Sequence, residues 1–201
     1  MSLAGYAEFQ RELGRKAFHM LSLVYLAAYH WLGYPRIVPL LAAWLVVVTV
    51  VELGRFLIPS LGAWLAAFFS GLIRETELRA FSGIFHTTAG CLIVMAWAGG
   101  RPALVVASVL NLALGDAAAA LVGKRFGRIK IAGGKKSVEG SLACLAVCWG
   151  CGVWAGLPPA AALAGALSAT AVELLPTTPW FNDNLWMPVA SCAALLAFWG
   201  A

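Results

Sequence analysis

The chain has 201 residues, of which 62% are apolar and only 11% charged, and its mean hydropathy is +0.85. A soluble globular domain carries about a quarter charged residues, so this composition cannot cover a water-facing surface. It excludes an ordinary soluble enzyme, and it removes the nucleic-acid reading that a net charge of +5 would otherwise invite.

Apolar runs recur at roughly 17–33, 36–58, 80–98, 102–122, 137–156, 159–175 and 184–200. About 20 apolar residues at 1.5 Å each cross a bilayer. The expectation is therefore an all-α integral membrane protein, one polytopic domain over 1–201 with about seven transmembrane helices. The segment 61–73, LGAWLAAFFSGLI, is too short to cross comfortably. It reads as a re-entrant or interfacial helix, with an eighth span as the alternative. Trp31, Trp97, Trp154, Trp186 and Trp199 fall near predicted span ends, as an aromatic belt requires.

Seven spans place the N-terminus and the 59–79, 123–136 and 176–183 loops on one side. That side holds Arg11, Arg15, Lys16, Arg55, Arg74, Arg79, Lys124, Arg125, Arg128, Lys130, Lys135 and Lys136, against Arg36 and Arg101 on the other. The asymmetry predicts a cytoplasmic N-terminus in the cytoplasmic membrane and a C-terminus outside. No small-residue cleavage site closes the first apolar stretch, so a cleavable signal peptide is not expected. Cys91, Cys144, Cys148, Cys151 and Cys192 all lie in apolar stretches without His or carboxylate neighbours, which marks them as core rather than metal ligands.

A carboxylate within a span costs several kcal/mol and is retained for a reason. Glu52, Asp116 and Glu173 lie near the cytoplasmic ends of their spans, Asp183 and Asn184 begin the last span, and His19 lies one turn into the first. The convergence of these groups on one level suggests a half-buried site open to the cytosol. A cation route would instead spread its acids through the membrane, and a small transporter or channel is the non-enzyme alternative.

Residues 111–141, NLALGDAAAALVGKRFGRIKIAGGKKSVEGS, are the most informative. Gly115, Ala119, Gly123 and Gly127 form a small-residue stripe suited to helix packing, within one chain or between the two of a homodimer. The 123–141 loop adds Lys124, Arg125, Arg128, Lys130, Lys135 and Lys136, the Gly133–Gly134 pair, Ser137 and Ser141. Glycine-permitted turns before a helix N-terminus suit phosphate oxygens, and anionic lipid headgroups are the competing ligand. Ser137 and Glu139 resemble a capping box shifted by one, and the Walker spacing is absent. Nucleotide–Mg²⁺ chemistry needs hard oxygen ligands beside such a loop; Asp116 is the first metal-ligand candidate and Asp183 the second. Glu52 and Glu173 have an equal reading as structural partners of Arg55 and other cations.

Taken together these pieces resemble the CTP-dependent lipid kinases: dolichol kinases, phytol kinases and CTP-using diacylglycerol kinases. Glu12–His19 is similar to the family's E-x-x-R-K-x-x-H, carrying Arg15, Lys16 and His19. Glu52–Arg55 is similar to its E-x-x-R, Gly115–Gly127 to its G-D-x-x-A-x-x-x-G-x-x-x-G, and Lys136–Ser141 to its K-S-x-E-G-S. Glu173, Asp183, Asn184 and Pro188 resemble its closing E…D-N-L-x-x-P.

The resemblance implies a multi-helix membrane fold and transfer of the CTP γ-phosphate to the primary hydroxyl of a membrane lipid alcohol at the cytoplasmic face. It associates CTP with Asp116, Gly123, Lys135, Lys136, Ser137, Glu139, Gly140 and Ser141, with Gly115, Lys124 and Gly127 in the same stretch. Mg²⁺ would be held by Asp116 and Asp183, and His19 or one of the acids would serve as base. The chain's short length leans towards an isoprenoid alcohol such as phytol, geranylgeraniol or a polyprenol, with diacylglycerol as another acceptor. A cytidylyltransferase that makes CDP-lipids is the enzymatic alternative.

Overall fold

The computed structural model describes residues 14, 16, 20, 22–69, 80–134, 136–176, 178 and 181–199. The candidates Arg15, His19 and Lys135 lie outside the described residues. Nine α-helices are described: α1 Ser22–Leu32, α2 Ile37–Leu57, α3 Pro59–Phe68, α4 Gly83–Ala98, α5 Pro102–Leu110, α6 Asp116–Phe126, α7 Val138–Trp154, α8 Pro159–Leu174 and α9 Asp183–Trp199. One π-helical turn, Asn111–Gly115, joins α5 to α6, and two short strands, β1 Lys130–Ile131 and β2 Lys136–Ser137, form a hairpin. The chain is mostly helical, as the composition predicts.

The helix boundaries follow backbone chemistry. Gly33, Gly99 and Gly156, after α1, α4 and α7, have φ of 71°, 57° and 88°, the left-handed conformation that closes a helix and that glycine adopts without strain. Pro59, Pro102 and Pro159 open α3, α5 and α8, where the missing N–H is not needed. The Ser82 hydroxyl accepts the N–H of Phe85 at 3.4 Å at the start of α4.

Among the described residues, two stretches are long and apolar enough to cross a membrane: Ile37–Leu57, with 21 residues and mean hydropathy 2.3, and Pro102–Phe126, with 25 residues and mean hydropathy 1.9. α7 and α9 have 17 residues, about 25 Å of helix against roughly 30 Å of hydrocarbon. The α5–α6 stretch is the central one, since 67% of its most apolar window is buried against 22% for α2. α2 exposes Leu40, Trp44, Val46, Val47, Val50 and Leu53. Trp31, Trp97, Trp154, Trp186 and Trp199 are all exposed at or near helix ends.

Among the described residues, two apolar clusters hold the bundle. Ile37, Leu41, Met95, Leu104, Val105, Ala161 and Leu195 belong to one; Leu112, Ala119, Cys144, Cys148, Ala166, Ala169 and Met187 form the other. α9 packs on α8 and α4, α7 on α6 and α8, and α2 on α4. At one end Tyr34 lies against Gly100, whose added Cβ would come within 3.2 Å of the ring. Arg55, Lys136 and the acids gather at the opposite end.

Four expectations need correction. The short helix starts at Pro59, straight after Ile58, rather than at 61. Residues 123–126 are not loop, because α6 runs on to Phe126 with Lys124 and Arg125 in its last turn, where cations face the helix's negative end. The basic loop is a hairpin with a two-residue ladder, although no strand was expected. Finally, the 102–122 span is not one regular helix: the π turn interrupts it just before Asp116.

Candidate functional site

The second apolar cluster is the floor of the site. Asp116 stands between its members Leu112 and Ala119, Glu173 one turn beyond Ala169, and Asp183 one turn before Met187. Residues three or four apart share a helix face, so α6, α8 and α9 deliver these carboxylates to one end of one core. The π turn beside Asp116 adds a residue to its helical turn, a feature frequent at functional positions. It is braced by Asn111, 1% exposed, which bonds Ser191 on α9 at 2.8 Å.

The glycine stripe lets α6 and α7 meet inside the chain. A Cβ on Gly123 would lie 3.0 Å from Ser137 Oγ, and one on Gly140 would lie 2.6 Å from the Ala119 carbonyl oxygen. At Gly127 it would collide with the Gly123 carbonyl, and at Gly115 with Cys148 Sγ. Gly115, Gly123, Gly127 and Gly140 therefore serve close helix packing, and the stripe's partner is α7 of the same chain.

Above the floor, the hairpin pairs Lys130 with Ser137 and Ile131 with Lys136. Its turn passes through Ala132, Gly133 and Gly134 with φ of 50°, 67° and 85°, which explains the Gly–Gly pair. The Glu139 carboxylate accepts the N–H of Arg128 at 2.9 Å and of Ile129 at 3.2 Å. It fastens the hairpin to the first turn of α7. The Ser137 hydroxyl is the cap, accepting the Gly140 N–H at 3.1 Å, while Ser141 Oγ donates to the Ser137 carbonyl at 3.1 Å. Ser137 is buried and its hydroxyl is committed to that cap.

Among the described residues, three ion pairs are seen at this end. Lys16 Nζ pairs with Asp116, both side chains buried, and Lys136 Nζ pairs with Glu173. Glu52 Oε2 accepts Arg55 Nε at 3.0 Å, Arg55 Nη2 at 2.7 Å and the Ser82 N–H at 3.2 Å. Arg55 also donates to the Ala80 carbonyl, so this pair joins α2 to the start of α4. That is the structural reading of Glu52; Glu173 instead ties α8 to the basic hairpin. Asp183 is buried, with Oδ1 accepting the Asn184 N–H at 3.0 Å.

One residue at this end was given no role from the sequence. His86 lies one turn inside α4 and is buried. The signal was an imidazole in an otherwise apolar helix, within Phe-His-Thr-Thr. What it meets depends on helix rotation.

Among the described residues, no three His, Cys, Asp or Glu side chains gather as a metal cage. Asp116 and Asp183 supply hard oxygens from neighbouring helices, since Gly115 abuts Met187, whose Cε would lie 3.1 Å from an added Cβ. One or two carboxylates suit Mg²⁺ arriving on phosphates, not a resident ion. Comparison with family models, with curated proteins and with solved structures gives no match.

Proposed function

We propose that this chain is a multi-pass, seven-span membrane enzyme that transfers the γ-phosphate of CTP to the hydroxyl of a lipid alcohol at the cytoplasmic face. The observation that carries the reading is the pair of acid–lysine contacts, Lys16–Asp116 and Lys136–Glu173, on one apolar floor beneath a basic hairpin. Seven passes are supported by the helix within each apolar run and by the exposed tryptophans near helix ends. The choice of CTP rests on the resemblance of the motifs.

Buried charges persist only when paired. Each lysine here neutralises an acid that a polyanion with its cation can re-partner. Lys16 and Lys136 would turn from their carboxylates to phosphate oxygens, and Asp116 and Asp183 would be the residues to hold Mg²⁺. When bound, Mg²⁺ neutralises phosphate charge. The basic hairpin draws the nucleotide in, and the apolar floor excludes water that would otherwise hydrolyse it.

The lipid oxygen bonds to the γ-phosphorus as the bond to the β–γ bridging oxygen breaks. CDP leaves, and the hydroxyl proton passes to a base at the site, for which His19 and the acids are candidates. Positioning dominates, because a loose transition state demands little base strength.

The test is purified protein in nanodiscs with γ-labelled CTP, Mg²⁺ and a panel of lipid alcohols. Label in the lipid with CDP left behind is the expected result. Pyrophosphate release from lipid phosphates would instead make the chain a cytidylyltransferase. Inactivity in both assays, with cation flux in proteoliposomes, would make it a transporter.

A further inference from the structure

His86 is 9% exposed, and among the described residues its Nδ1 has no hydrogen-bond partner. Buried polar atoms in native structures are nearly always paired, so such an atom points to a function.

Its surroundings are held firmly. One turn further along α4, Gly90 brings that helix onto α9: an added Cβ would lie 3.1 Å from the carbonyl oxygens of both Asn184 and Leu185. His86 thereby faces the level of Asp183. Below it, Arg55 and the Ser82 N–H hold Glu52. Beside it, Phe85 meets the imidazole edge-on at 5.4 Å and stacks on Phe81 at 4.4 Å, and Phe81 in turn touches Phe56 at 5.9 Å. Phe56 is 42% exposed, so this aromatic row leads from the buried nitrogen to the outside of the bundle.

The chemistry selects the occupant. A phosphate without its cation would meet the repulsion of Asp183, and a cation would find Glu52 already neutralised by Arg55. A neutral hydroxyl on an apolar chain suits the unpaired nitrogen and the aromatic row together.

We propose that His86 receives the hydroxyl of the lipid acceptor, bonding it through Nδ1 beside Asp183, with the chain running out along Phe85, Phe81 and Phe56. A hydroxyl both donates and accepts, so the bond forms whether or not Nδ1 carries a proton. The inference rests on the lipid-alcohol kinase reading for the acceptor's identity, but not for the existence of the hydroxyl site.

The experiment uses ¹⁵N-histidine NMR in nanodiscs on a chain with His19→Gln and His30→Gln, so that His86 gives the histidine signal. Geranylgeraniol is expected to move the Nδ1 resonance, and squalene, an isoprenoid hydrocarbon without a hydroxyl, to leave it unmoved. An unmoved resonance at saturating geranylgeraniol, or the same shift with squalene, overturns the inference. In the otherwise native chain, His86→Leu is expected to raise the KM for the alcohol about tenfold, the size of one buried hydrogen bond. The KM for CTP stays unchanged, and His86→Asn, which keeps a polar atom near Nδ1, recovers most of the loss. A resonance shift without label transfer in the native protein keeps the hydroxyl site and removes the kinase reading. Label transfer without a shift does the reverse.

Discussion

Lys16 and Asp116 stand 100 positions apart in the sequence and meet as a buried ion pair on the floor of the site. Removing one partner of such a pair strands the other, at a cost of about 3–5 kcal/mol. Asp116→Asn is therefore expected to lower Tm and also to cut turnover by roughly 100-fold or more, as when a group that stabilises developing charge is lost. The double variant Lys16→Met with Asp116→Leu separates the two effects. Replacing both charges with apolar groups restores Tm without restoring turnover. Turnover at the native rate in the double variant would make the pair purely structural.

Lys136 reaches Glu173 from the hairpin with a quarter of its side chain exposed, 26% against 4% for its partner. Lys136→Met is expected to raise the KM for CTP roughly tenfold or more, the scale of one hydrogen bond to a charged group. The KM for the lipid should hold. Initial-rate kinetics with each substrate varied in turn checks this, and an unchanged CTP dependence would remove Lys136 from the nucleotide site.

Glu52 joins α2 to α4 through Arg55 and the Ser82 N–H. Glu52→Gln removes the carboxylate that accepts two Arg55 N–H groups and the Ser82 N–H, and the loss of charge-assisted bonds predicts a destabilisation of about 1.5–3 kcal/mol. Thermal melting in detergent measures it. The double variant Glu52→Gln with Arg55→Met should recover part of the loss, since neither end of this contact then carries a charge.

Two glycines separate packing from backbone conformation. Gly140→Ala places a methyl 2.6 Å from the Ala119 carbonyl oxygen, so overpacking of about 1–3 kcal/mol is expected. Gly133→Ala meets nothing within 4 Å, but its φ is +67°, which costs an L-residue roughly 1–2 kcal/mol. Gly140→Ala should lower Tm, whereas the Gly133→Ala effect should appear as a looser hairpin. An unchanged Tm in Gly140→Ala would contradict the close α6–α7 contact.

Glu139 fastens the hairpin through the amides of Arg128 and Ile129. In Glu139→Gln these amides lose a charged acceptor, and their hydrogen exchange should quicken while that of the α7 interior stays put. Exchange read by mass spectrometry over 126–141 decides it. Unchanged exchange would mean that the β1–β2 ladder alone holds the loop.

The sequence by itself determined that the chain is helical, roughly where its helices lie, and, among the described residues, that the acids and most of the cations share one end. Each of these follows from local quantities: the length of an apolar run, the position of a glycine or proline, the side on which a charge falls. It also singled out Asp116, Glu173 and Asp183 as acids at one level. The tertiary structure alone decided which cation meets which acid, that the glycine stripe turns inward to α7, that Glu139 holds the hairpin, and that His86 is buried with its Nδ1 unpartnered among the described residues. Those outcomes depend on how each helix is rotated about its axis. In a helix such as α2, apolar on nearly every side, no polar face records that rotation. Only the neighbours it packs against can set it.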